Sequence, residues 1–312
     1  MIDKSELIRI AKKTGVNHPE IVEQEYVNGI VIDALSRLLD KKDFAIFGGT
    51  CRNKAYNGLR RTYAPNEIDS YFNTNRFSKD IDAFINPELN NQKVIVEILW
   101  QCVSDISNRF GIQIDPTLIR IKDSWRAISH KDSFPLPCVD ATFPYYGPLF
   151  NPKHPPSRIK LSLDSNDPPV MDTTRAPIYH PFSDNGDADL VANCVAYPEL
   201  FAKKLFALYN RRLGKDLYDV AILMETYDIM SHLGDIENIM NRKKKNWGMD
   251  PVPAKLDAVE VELKRSWDNT IPKMVSRPIG FDGCVRNLHK IHDALRRNDM
   301  GPVVANKMER GK

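Results

Sequence analysis

No run of apolar residues in the chain approaches the length of a membrane span, and its first residues, Met-Ile-Asp-Lys-Ser-Glu, lack the apolar core of a signal peptide. A cytoplasmic protein with no membrane partner is expected. Cysteine is scarce: 5 residues, at 51, 102, 138, 194 and 284, odd in number and without a Cys-x-x-Cys pair. That pattern argues against a disulfide framework or a zinc site and predicts reduced thiols. The phosphate loop Gly-x-x-x-x-Gly-Lys-Ser/Thr, the Gly-x-Ser-x-Gly elbow and the protein-kinase signature are all missing. Of the 7 histidines only His289 and His292 are close in sequence, and three-residue spacing alone is weak evidence for a metal. Internal repeats and low-complexity tracts are also lacking.

What is present fits an ordinary two-domain protein: 312 residues, 42% hydrophobic and 27% charged. The net charge of +3 hides an asymmetry, because residues 241–312 hold 16 Lys/Arg against 9 Asp/Glu. A basic C-terminal end attracts RNA or another polyanion. The competing reading of any one cluster, Arg242-Lys243-Lys244-Lys245 included, is a solvated helical face.

Helical spacing of apolar residues predicts helices over 5–14 and 20–39, the second covering a sheet. Phe44-Ala45-Ile46-Phe47 reads as a short buried strand ending in Gly48-Gly49-Thr50 and a helix start. Residues 51–75 mix Arg52, Lys54, Arg60 and Arg61 with Tyr56, Tyr63, Tyr71 and Phe72, which suits either base stacking with phosphate contacts or a plain surface insertion. A helix is predicted over 91–109, with Gly111 at its C-cap, and a strand over 112–121. Eleven of the 21 prolines fall between 135 and 181, leaving strand pieces at 138–143 and 158–163 among loops. From Pro198 the pattern turns helical. Gly214 interrupts it, a helix is predicted from Asp216 to Met230, and others follow at 254–269 and 282–297. The expected division is a core with N-terminal helices over 1–195 and a helical domain over 196–312.

The informative stretch is Arg76-Phe77-Ser78-Lys79-Asp80-Ile81-Asp82-Ala83-Phe84-Ile85. As a strand it alternates with period two, so Asp80 and Asp82 share one face while Ile81 and Ala83 take the other. Like charges that close call for a compensating cation, most simply a divalent metal held by hard oxygen ligands. Upstream, the Gly-Gly-Thr turn lets backbone N–H groups approach an anion at a helix start. Together the two suggest a site for a metal and a triphosphate.

Gly-Gly-Thr followed by Arg-Phe-Ser-Lys-Asp-Ile-Asp resembles the nucleotidyltransferase core of the AbiEii/AbiGii abortive-infection toxin family, within the DNA polymerase beta-like superfamily. Glu199-Leu200-Phe201-Ala202-Lys203-Lys204-Leu205, then Arg211 and Lys215-Asp216-Leu217-Tyr218-Asp219, resembles the same family's C-terminal signature. The resemblance spans roughly residues 20–225, and the 25 residues between Thr50 and Arg76 exceed the usual family spacing, implying an insertion. It implies an α/β (α+β) core with a mixed sheet, followed by a mainly helical part. It also implies Mg2+ on Asp80 and Asp82, with an NTP held by Gly48, Gly49, Thr50, Ser78, Lys160 and Arg211. Lys204 is expected to meet the triphosphate and, flanking an apolar helix face, to contribute mainly charge. Asp216 is expected to orient the lysine or the acceptor, although acids there also suit a helix start. Asp140 and Asp164 are the alternatives for a third carboxylate. The activity so implied is transfer of a nucleoside monophosphate to a tRNA end or a protein side chain, with a cognate antitoxin. Transfer to a small molecule, as in antibiotic-modifying relatives, and noncatalytic nucleic-acid binding are the alternatives.

Overall fold

The computed structural model describes residues 1–14, 16, 18–57, 77, 80–126, 136–184, 189–247, 252–253, 256–275 and 278–299. The chain forms two compact units, Met1–Leu200 with Met274–Arg277, and Phe201–Lys273 with Pro278–Lys312.

In the first unit, α1 (Lys4–Thr14) and α2 (Pro19–Leu38) precede β1 (Phe44–Phe47), which runs into α3 (Gly48–Cys51) and a π-helical turn, Arg52–Asn57. There follow β2 (Asp80–Ile85), α4 (Gln92–Phe110), β3 (Gln113–Ile114), β4 (Arg120–Arg126), β5 (Leu136–Tyr146), β6 (Ser157–Asp164), β7 (Thr174–Pro177) and β8 (Val191–Cys194). The strands form one mixed sheet in the order β3-β5-β6-β2-β1-β8-β7, with β4 also on β5. β2 runs parallel to β6 and β1 to β8, and the other pairings are antiparallel. This is the mixed α/β architecture the sequence implied.

Alternation sorts the sheet into two faces. Leu35 and Leu39 on or just after α2, with Ile95, Ile98 and Leu99 of α4, close over Phe44, Ile85, Leu161 and Leu163. Burying each such side chain contributes on the order of 1.5–3 kcal/mol. Helix α2 is buried around most of its circumference, more than a simple amphipathic cover, and two of its buried acids are paired with cations. Glu25 pairs with Lys54 at 2.8 Å, and Asp33 meets Arg109 at 2.7 Å and Arg37 at 2.9 Å.

The predicted strand at 112–121 is broken in two, because Asp115 turns its carboxylate onto the Thr117 N–H (2.9 Å) and Pro116 opens a 3-10 turn. β5 is longer than its prolines suggested. Pro144, which has no N–H to give, lies where the neighbour changes from β4, paired up to Thr142, to β3, which begins opposite Tyr145. β7 and β8 were not foreseen, being four-residue strands.

α5 (Tyr197–Arg211) leads into the second unit, which continues with α6 (Gly214–Thr226), α7 (Leu233–Trp247), α8 (Asp257–Met274) and α9 (Phe281–Asp299). Leu217, Val220 and Ala221 of α6 and Cys284, Leu288 and Ile291 of α9 are buried in it. The helix break falls at Arg212, whose φ is 54°, so Gly214 opens α6 rather than ending α5. A Cβ on Gly214 would lie 2.6 Å from the backbone of Trp267. Backbone cannot yield as a flexible side chain does. Gly214→Ala is therefore expected to lower stability by about 1–3 kcal/mol, read as a drop in the midpoint of chemical denaturation. The helix predicted to reach Met230 stops at Thr226, where Tyr227 is extended, and α7 was not foreseen. All five cysteines are buried free thiols.

Candidate active site

The strand register places the acids. Asp80 stands opposite Lys160 and Asp82 opposite Ser162. Across β6, Lys160 faces Thr142 and Ser162 faces Asp140, and across β5 these continue to Arg120 and Lys122. Residues paired across a ladder share a face, so Asp80, Asp82, Ser162, Asp140 and the three cations all stand on the side opposite that packed by α2 and α4. Asp80 and Asp82 are partly exposed there. Lys160 Nζ lies 3.9 Å from Asp80 with both side chains about half exposed, 47% and 46%, an arrangement worth little to stability.

Gly48 connects the two sequence motifs. Its φ of 74° is left-handed, and a Cβ there would lie 2.7 Å from Asp82 Oδ2. Glycine lets the turn close on the carboxylate. A side chain at position 48 is expected to cost about 1–2 kcal/mol in backbone strain and to push Asp82 aside. Gly48→Ala should therefore lower the melting temperature and the transfer rate together, and a variant unchanged in both would remove this contact from the site.

Thr50 behaves differently from its assignment. Its hydroxyl donates to the Asp80 carbonyl at 2.7 Å, so its proton ties α3 to β2 and is not offered to phosphate. Arg52 and Lys54 are buried, not displayed on a surface insertion. Arg52 donates to Asn53 Oδ1, and Lys54 is held by Glu25. Tyr56 donates to the Val195 carbonyl at 2.6 Å, and burial pushes its phenol far above the ordinary range. The π-turn is thus a packed bolt behind the Gly-Gly-Thr segment. Ser78, Arg60, Arg61, Tyr63, Tyr71 and Phe72 lie outside the described residues.

Of the two alternatives for a third carboxylate, Asp164 ends β6 and accepts the Asn166 N–H at 2.9 Å, a turn-capping role. Asp140 instead sits in the row of Asp82 and accepts the Ser162 hydroxyl at 2.6 Å. Among the described residues no group of three or more His, Cys, Asp or Glu gathers to hold a metal. Asp80 and Asp82 nevertheless suit Mg2+, which is commonly bound through one or two carboxylates with substrate phosphates and water completing its shell.

In the second unit, Lys204 of α5 is buried, with 6% exposure, and its Nζ meets Asp219 Oδ2 of α6 at 2.6 Å. Asp216 takes Arg211 at 2.8 Å. The carboxylate that orients the lysine is therefore Asp219, the last residue of the C-terminal signature, to which the sequence reading gave no role of its own. The Lys243 side chain is likewise buried, at 1% exposure, whereas Arg242 and Lys244 are exposed, so the basic run is not one solvated face.

Comparison with protein families matches residues 30–287 to the nucleotidyl transferase AbiEii toxin family, type IV toxin–antitoxin system. The chain belongs to the AbiEii family. Membership identifies a nucleotidyltransferase toxin of a type IV toxin–antitoxin system, with an NTP as substrate and a cognate antitoxin. Comparison with curated proteins finds no match. Among solved structures the chain is similar to MenT4, a nucleotidyltransferase toxin from Mycobacterium tuberculosis H37Rv. The identity is 12% and the TM-score 0.45, over 93% of this chain and 98% of that one. Within this AbiEii chain no described helix is long and apolar enough to cross a membrane.

Proposed function

We propose that this AbiEii-family protein is a magnesium-dependent enzyme that moves a nucleoside monophosphate from an NTP to a macromolecular hydroxyl, at a tRNA end or on a protein. The observation that carries this reading is the apposition of Gly48 and Asp82, which joins the Gly-Gly-Thr turn to the acid pair. Mg2+ held by Asp80 and Asp82 would neutralise charge developing on the triphosphate. The backbone N–H groups of Gly48 and Gly49 would meet phosphate, as the family signature implies. Lys160, half exposed beside Asp80, supplies a mobile cation for the pyrophosphate leaving group. Lys204 and Arg211 keep the roles implied by the family signature; Asp219 is the partner of Lys204, and Asp216, paired with Arg211, is left with orienting the acceptor.

Incubation with each α-labelled NTP, Mg2+ and either total RNA or soluble cell protein tests the reading. Label on RNA or on protein names the acceptor, label on a small molecule replaces it with the antibiotic-type reading, and no label with retained RNA binding leaves a binding module. Removal of metal by EDTA is expected to abolish labelling, and restoration by Mg2+ to recover it.

A further inference from the structure

Asp140 is a nearly buried carboxylate, 7% exposed, whose hydrogen-bond partner among the described residues is the Ser162 hydroxyl. A carboxylate removed from water is costly unless it is compensated; Ser162 supplies its hydrogen bond, and Lys122 stands opposite it on β4. The 2.6 Å separation is that of a strong O–H···O⁻ bond, so the serine proton points at Asp140 and the lone pairs of Ser162 Oγ are left available to another donor. Ser162, 6% exposed, is the residue directly opposite Asp82. Asp140 itself stands two strands from Asp82, about 10 Å at ordinary strand spacing. Other charged groups of this face are Asp80 on β2, Arg158, Lys160 and Asp164 on β6, and Arg120 and Lys122 on β4.

We propose that Ser162 and Asp140 form a proton relay for nucleotidyl transfer, with Ser162 the group that meets the acceptor hydroxyl and Asp140 a positioning residue acting through it. The inference rests on the proposed transfer reaction. As the acceptor oxygen bonds to the α-phosphorus and the bond to pyrophosphate breaks, the acceptor proton moves to Ser162 Oγ. The serine's own proton moves to Asp140. When product leaves, Asp140 returns its proton through Ser162 to solvent. The acceptor hydroxyl needs a base close to the acid pair, and a neutral hydroxyl opposite Asp82, backed by a carboxylate one strand further away, supplies one without a third negative charge directly beside Asp80 and Asp82.

The experiment measures single-turnover incorporation of α-labelled NTP, with Mg2+, into total RNA and soluble cell protein, using the full chain. Asp140→Asn keeps a carbonyl that accepts the Ser162 hydrogen bond and loses the site for the proton. It is expected to slow transfer by about 10²-fold or more, with NTP KM within about threefold of wild type. Its rate should rise about tenfold per pH unit where wild type is level, as hydroxide replaces the missing base. Ser162→Ala should match that loss, the double variant should be no slower than either single variant, and Ser162→Thr should restore most of the rate. A merely structural pair would lower the melting temperature, or raise KM, without changing the shape of the pH profile, and would overturn the relay. Losses that multiply in the double variant would also overturn it. If Asp140→Asn does not fold, Ser162→Ala against Ser162→Thr decides, and equal rates count against the proposal. Normal rates in the Ser162 and Asp140 variants with an inactive Asp80→Asn overturn the relay alone, while an inactive wild type overturns the transfer reading with it.

Discussion

Asp82→Asn is expected to reduce nucleotidyl transfer by about 10³-fold or more while leaving the melting temperature within a few degrees of wild type. The substitution keeps the shape of the side chain and removes its charge. Loss of metal-mediated stabilisation of the transferring phosphate is worth several kcal/mol, and each 1.36 kcal/mol is about tenfold in rate. Stability should hold because Asp82 is partly exposed and belongs to a pair of acids whose mutual repulsion falls when one is neutralised. Asp80→Asn should act in the same direction. Its side chain is about half exposed, while its main-chain carbonyl, which the substitution preserves, still receives the Thr50 hydroxyl. Initial rates with labelled NTP and Mg2+, alongside thermal melting, check both. Near-normal rates in two folded variants would remove the acids from metal binding.

The site's two halves were legible for a physical reason: each is written in local chemistry. Period-two alternation is a property of any strand, so Asp80 and Asp82 had to share a face once 80–85 was read as β-structure. A Gly-Gly pair after a short apolar strand likewise announces backbone that must pass close to something. Sequence alone could not say that this something is the Asp82 carboxylate, because the contact depends on β1 pairing antiparallel with β2 so that Phe47 faces Asp82. The same limit explains the misread basic residues. Arg52, Lys54 and Lys243 look like solvated cations in a linear reading, but tertiary packing buries all three. For Lys54 the compensating acid, Glu25, is 29 residues away on a helix predicted to be simply amphipathic. Asp140 could be named but not chosen over Asp164, since both follow apolar residues in short strands. Only the register, which sets Asp140 in the row of Asp82 and leaves Asp164 capping a turn, separates them. The same logic applies to the lysine of the C-terminal signature, where the family pattern marks several acids and geometry selects one.

Lys204→Ala is expected to cost about 3–5 kcal/mol of stability, the size of effect seen when one member of a buried ion pair is removed and the other is left uncompensated. Sequence reasoning assigned this lysine mainly a charge on the edge of an apolar face, with little effect on folding. Its 2.6 Å contact with a fully buried Asp219 makes the stability effect the larger one. Asp219→Ala should be as damaging, since it leaves a buried ammonium group. Replacing both with apolar residues of similar volume, Lys204→Met with Asp219→Leu, should recover most of the loss, because the desolvation cost of two buried charges disappears with them. Denaturant melts of wild type, Lys204→Met, Asp219→Leu and the double variant give the coupling directly. The restored double variant also separates folding from chemistry. If Lys204 meets the triphosphate, the double variant should fold near the wild-type midpoint yet use NTP poorly. If it folds and transfers normally, the pair is structural, and the charge that neutralises the leaving group has to be sought on the sheet, at Lys160.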